Sequence, residues 1–86
     1  MPKTTIYTTI TCGYCIRAMQ LLKGKQVPFE EIDVSYDAER RQQMMDRAGG
    51  RMTVPQIFIG DRYVGGWNEL CDLERSGRLE PLLSMA

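Results

Sequence analysis

The sequence predicts an α/β fold, a four-stranded mixed sheet flanked by helices on both faces. Three observations predict it. Short β-branched and aromatic runs alternate with stretches whose apolar residues recur at helical spacing, so the first half reads βαβα. Two further strand-like runs are separated only by Gly60-Asp61, a tight turn that makes them an antiparallel hairpin. The pair Cys12-Gly13-Tyr14-Cys15 falls where the first strand hands over to the first helix.

Each element has its own signal. Residues 3 to 9, Lys-Thr-Thr-Ile-Tyr-Thr-Thr, carry little charge and suit a short buried strand. From the cysteine pair onward Cys15, Ala18, Met19 and Leu22 recur at helical spacing, and Gly24 with Pro28 is expected to stop the helix near Lys25. Phe29 to Val34 alternates apolar and polar residues and predicts a second strand, parallel to the first if the crossover is right-handed. Ser35 and Asp37 are capping residue types, and Ala38, Arg41, Met45 and Ala48 form a weakly apolar stripe on a charged helix ending at Gly49-Gly50. Thr53-Val54-Pro55 leads into a hairpin over residues 56 to 64. Gly65-Gly66 then breaks the chain ahead of a third helix, with Asn68 expected as N-cap, Leu70 and Leu73 facing inward, and Gly77 as its end. Leu79 to Leu83 predicts a short terminal turn or helix packed on the core.

Composition narrows the function. Eighty-six residues suit a single domain spanning 1–86, with a modest core. Eleven basic and eleven acidic residues cancel and are interleaved, which argues against nucleic acid or an anionic membrane as partner. No run approaches the roughly 18 apolar residues of a membrane span, and no signal-peptide pattern is present, so a cytoplasmic protein is expected. Three cysteines, two of them in a redox spacing, fit a reducing compartment.

The cysteine pair carries the chemistry. The first turn of a helix presents unpaired N–H groups and the positive end of the dipole, and both favour an anion such as a thiolate at Cys12. Cysteines in that position and in Cys-X-X-Cys pairs have their acidity raised, to pKa values of roughly 3.5–7.5. Cys12 is therefore expected to be the nucleophile, with Cys15, one turn on, resolving the mixed disulfide. Two other uses were weighed. Zinc takes about four ligands, while this chain has no histidine and only Cys71 besides the pair. A structural disulfide closing so short a loop would remove little unfolded-state entropy.

Ile6-Tyr7-Thr8, Cys12-Gly13-Tyr14-Cys15, Thr53-Val54-Pro55-Gln56-Ile57-Phe58-Ile59, Gly65-Gly66 and Leu70 together resemble the glutaredoxins, closely the small bacterial dithiol type, over nearly the whole chain. The resemblance implies a thioredoxin-like fold in which Pro55 is cis and faces the cysteines. It also implies a glutathione groove. Val54 would offer its backbone to the peptide in the manner of a sheet strand. Thr53 and Pro55 shape the same loop, and Tyr14 packs its ring along the groove. Gly66 permits close approach of the ligand, and the helix start at Asn68 and Glu69 receives the γ-glutamyl carboxylate. Glu69 stands where the family usually has an aspartate that contacts the γ-glutamyl amine. The chain also has Gly13 where dithiol members most often have proline, and Thr9 where they often have lysine; Arg51 or Gln56 is the available substitute for that lysine. Trp67 reads equally as a shield for the groove or a cover for the core, and Cys71 as a small buried apolar residue.

What the resemblance implies is a glutathione-dependent thiol–disulfide oxidoreductase. It would act as a monomer on disulfide-containing and glutathionylated proteins, with Cys12 taking the glutathionyl group onto itself. Two alternatives stay open at this stage. One is a dimer bridged by a [2Fe–2S] cluster on Cys12 and glutathione thiols. The other is a glutaredoxin-like donor served by thioredoxin reductase.

Overall fold

The computed structural model describes residues 2–84. Its elements are β1 (Thr4–Thr8), α1 (Gly13–Gly24), β2 (Phe29–Asp33), α2 (Ala38–Arg47), β3 (Gln56–Ile59), β4 (Arg62–Gly65), α3 (Trp67–Arg75) and α4 (Leu79–Ser84). The sheet order is β2-β1-β3-β4, with β1 parallel to β2 and antiparallel to β3, and β3 antiparallel to β4. All five residues of β1 are buried, because an inner strand covered on both faces has no solvent side to mark.

Side chains alternate across a strand, so consecutive residues of β1 and β3 feed two separate cores. Ile6, Ile57 and Ile59 pack with Ala18, Leu70, Leu79 and Leu83, which places α1, α3 and α4 on one face. Tyr7 and Phe58 pack with Val34, Met44 and Ala48, which places α2 on the other. There Arg47 donates to the Tyr7 hydroxyl at 2.9 Å and lies 4.0 Å over the Phe58 ring, a cation–π contact that lets a charged residue cover the core. Lys25 binds Glu74 at 2.8 Å and Glu80 at 3.0 Å, tying the end of α1 to α3 and α4.

Several boundaries differ from expectation, each for a local reason. The first helix begins at Gly13, so Cys12 is itself the N-cap. Its stop at Gly24, with Lys25 as C-cap, falls where expected, but Gln26 makes the turn: it adopts φ 60°, and the Val27 N–H reaches back to the Leu22 carbonyl at 3.0 Å in a Schellman closure. In α2, Asp37 caps as expected by accepting the Arg40 N–H at 3.0 Å, whereas Ser35 accepts the Ile10 N–H at 2.8 Å and so anchors the redox turn to the end of β2. The buried stripe of α2 is Met44 and Ala48. Of the expected stripe, Ala48 is buried and Arg41 and Met45 are half-buried, whereas Ala38 is exposed; Met44, outside that stripe, is the fully buried residue.

The N-cap of α3 is Gly66 rather than Asn68. The helix follows β4 without a linker, and Glu69 at the third helical position accepts the Gly66 N–H at 2.7 Å, half of a capping box whose other half glycine cannot supply. Gly77, at φ 73°, closes α3 as expected, with the Arg78 N–H on the Leu73 carbonyl at 2.9 Å. The terminal stretch is the helix α4, held by Leu79 and Leu83.

The α2 register is testable. Met44→Ala is expected to cost about 2–5 kcal/mol and Met45→Ala less than half as much. Urea denaturation of both variants checks this, and equal losses would contradict the deeper burial of Met44.

Candidate active site

The chain leaves the buried end of β1, and the redox turn is fixed on two sides. Ser35 holds Ile10, and the Cys12 N–H lies 3.4 Å from the Thr9 carbonyl. Cys12 is extended (φ −97°, ψ 105°), the conformation of an N-cap, and its Sγ accepts the Cys15 N–H at 3.0 Å. An N–H dipole at the positive end of α1 is thus aimed at the sulfur. Both cysteines are free thiols, Cys12 half-buried and Cys15 fully buried. Burial first, and hydrogen bonding to the Cys12 sulfur second, push the Cys15 thiol up to about 12. The two sulfurs are chemically unequal: one is reachable, the other is held as a thiol.

Opposite Cys12 stands the loop before β3. The Val54–Pro55 peptide is cis, and the Cys12 thiol faces the Val54 carbonyl at 3.7 Å. Beside them opens a cavity of about 300 Å³ lined by Tyr14, Arg51, Thr53, Val54, Pro55, Gly66, Trp67, Asn68 and Glu69. Every residue expected to bind glutathione therefore lines one cavity, although Tyr14 and Asn68 come from different helices and Thr53 from a loop between them in sequence. Tyr14 is largely exposed, with the Arg17 guanidinium 5.6 Å from its ring. Trp67 both lines the cavity and packs on the core. Cys71 is half-buried on α3 and does not line the cavity.

Geometry requires glycine at position 65 and favours it at 66. Gly65 has φ 117°, and a Cβ there would lie 2.6 Å from Glu69 Oε1; at Gly66 a Cβ would lie 3.3 Å from the Pro55 carbonyl. Side chains at these positions would displace Glu69 or the proline loop.

Glu69 accepts from the Gly66 N–H and from Arg51 Nη1 at 3.1 Å. The Gly66 N–H, and then the Arg51 guanidinium, hold its carboxyl below the usual carboxylate range. Arg51 brings a cation to the cavity wall. It is one of the two substitutes offered for the lysine absent at Thr9. Gln56, the other substitute offered for that lysine, is fully buried and accepts from the Tyr63 hydroxyl at 2.6 Å; Tyr63 gave no signal, because this contact depends on the hairpin register. Among the described residues no group of three or more His, Cys, Asp or Glu side chains could hold a metal ion, and no helix is long and apolar enough to cross a membrane.

Residues 4–64 match the family model for glutaredoxin. The chain is 51% identical to a glutaredoxin of Pseudomonas aeruginosa over 98% of this chain and 99% of the relative. It is 46% identical to glutaredoxin 3 of Escherichia coli over 96% and 99%. This chain belongs to the glutaredoxin family. Its structure agrees, since the solution structure of a Brucella melitensis glutaredoxin superposes with a TM-score of 0.85 at 48% identity, covering 96% of this chain and 89% of that one. As a glutaredoxin it has the thioredoxin-like fold and is a glutathione-dependent thiol–disulfide oxidoreductase.

The buried thiol predicts an alkaline liability for this glutaredoxin. Below about pH 9 Cys15 is protonated both folded and unfolded, and its contribution to stability is constant. From pH 9.0 toward 12 the unfolded chain releases a proton that the native state retains, so stability falls by up to about 1.4 kcal/mol per pH unit. Urea titrations from pH 8 upward should show this slope in the wild type and a shallower one in Cys15→Ser. Identical slopes would contradict the assignment.

Proposed function

We propose that Cys12 is the nucleophile and Cys15 the resolving thiol, and that the adjoining cavity holds glutathione. The observation that carries this is the Cys12 sulfur at the cap of α1, accepting the Cys15 N–H and bordering the Val54 carbonyl at the cavity edge. In the proposed reaction the Cys12 thiolate attacks the glutathione sulfur of a glutathionylated protein. The protein–glutathione S–S bond breaks, and the substrate cysteine leaves as a thiolate that takes up a proton. A second glutathione thiolate attacks the glutathione sulfur now joined to Cys12, releasing oxidised glutathione and restoring the Cys12 thiolate. With a protein disulfide, Cys12 forms the mixed disulfide and Cys15 attacks the Cys12 sulfur, giving an internal disulfide that glutathione reduces.

In the cavity, Val54 presents its backbone to the extended tripeptide beside Thr53 and Pro55, with Tyr14 along one wall. The free N–H groups at the start of α3, now at Trp67 and Asn68 because Gly66 is the cap, face a carboxylate. Arg51 supplies a cation for a second carboxylate, in place of the lysine absent at Thr9. Glu69 offers its carboxylate to the ligand amine and Gly66 the room for approach. We read the chain as a single domain over residues 1–86, acting as a cytoplasmic monomer on disulfide-containing and glutathionylated proteins.

A [2Fe–2S] cluster takes four thiolates. With Cys15 buried, this chain offers one reachable sulfur beside the cavity, so a cluster would draw its other ligands from a second copy and from glutathione. A Cβ at Gly13 would meet nothing within 4 Å, so close packing does not require glycine at this first helical position.

Cys12→Ser is expected to abolish glutathione-dependent reduction of a glutathionylated peptide. Cys15→Ser should retain it while losing most reduction of a protein disulfide. A glutathione-coupled assay checks both, and activity in Cys12→Ser would overturn the assignment. Activity with thioredoxin reductase but not with glutathione would favour the alternative donor. Anaerobic reconstitution with iron, sulfide and glutathione is expected to leave a colourless monomer; a coloured dimer dependent on Cys12 and glutathione would establish the cluster role.

A further inference from the structure

A polar relay runs behind the cavity wall, joining its cation to the loop that faces Cys12. Arg51 Nη1 donates to the Tyr63 hydroxyl at 3.0 Å, and that hydroxyl donates to Gln56 Oε1 at 2.6 Å. Gln56 Nε2 in turn donates to the Thr53 carbonyl at 2.8 Å and to Thr53 Oγ1 at 3.1 Å. Every bond in this chain points the same way, from the guanidinium toward the Thr53 carbonyl, so each polarises the next. Gln56 is fully buried, and Tyr63 is its donor from the neighbouring strand. Without that hydroxyl a buried amide oxygen is left unpaired, and Arg51 keeps only Glu69.

We infer that Tyr63 is a positioning residue for glutathione use: through Gln56 and Arg51 it fixes the spacing between the cation on the cavity wall and the Thr53–Val54 backbone. It touches neither cysteine, and its ring already has a separate structural role against Phe58, with centroids 5.2 Å apart. The hydroxyl is therefore separable from the ring. This inference rests on the cavity being the glutathione groove.

Tyr63→Phe removes the hydroxyl and leaves the ring. Its expected signature is a KM for glutathione raised roughly 2- to 12-fold, the size of one net hydrogen bond, with kcat changed less than about twofold. The rate of Cys12 alkylation by iodoacetamide should stay within about twofold of wild type, since the sulfur's own surroundings are untouched. In an Arg51→Met background the same substitution should shift KM by less than half of that factor, because the relay has lost its origin. A merely structural role would lower the thermal midpoint and leave KM unchanged, and that result overturns the inference. So does an undiminished KM effect in the Arg51→Met background. If the groove reading itself fails, wild type shows no saturable dependence on glutathione, which is distinguishable from saturable wild-type kinetics that Tyr63→Phe does not alter.

Discussion

The Cys12 sulfur caps α1, and that one bond from the Cys15 N–H organises the molecule around it. A helix start leaves N–H groups that need an acceptor, and here the acceptor is the reactive atom itself. The cap conformation demands an extended residue 12, so the strand must end before it and the helix must start at Gly13. A serine or aspartate would cap α1 equally well, but only a thiolate combines capping with exchange chemistry. Stability of the helix start and reactivity of the site are therefore properties of a single contact.

Around that contact the fold separates two cysteines three residues apart into opposite environments. Cys15 points into the body of the protein behind β1, where desolvation keeps it a thiol, while Cys12 borders an open cavity. The cis Val54–Pro55 loop supplies the opposite edge and the start of α3 the far wall. Three segments distant in sequence converge there because β1 and β3 are antiparallel neighbours at the centre of the sheet, with α3 following directly from β4.

The electrostatics of the far wall are unusually self-contained. Glu69 both caps α3 through the Gly66 N–H and pairs with Arg51, so its carboxylate is held in place by the protein's own groups. Such preorganisation reduces the ordering a ligand must impose. At Gly65, with φ 117°, a Cβ would clash with the glutamate, and at Gly66 it would sit tightly against the Pro55 carbonyl.

Local signals were enough for the element order, the hairpin, the redox pair and the closure of α3 at Gly77, because alternation, helical spacing, turn residues and Cys-X-X-Cys depend on neighbours in sequence. The resemblance added the groove loop and its cis proline. Helix ends and faces were less legible. Gln26 in a left-handed conformation and Gly66 as cap in place of Asn68 follow from where the chain must turn to reach its next element, and the deeper burial of Met44 than of Met45 follows from how α2 packs on the sheet. The inequality of Cys12 and Cys15 could be anticipated from their spacing, but its size follows from what packs over Cys15. The relay from Arg51 through Tyr63 and Gln56 to Thr53 was invisible, since hydrogen bonds between side chains on different strands exist only once the register of β3 and β4 has been chosen.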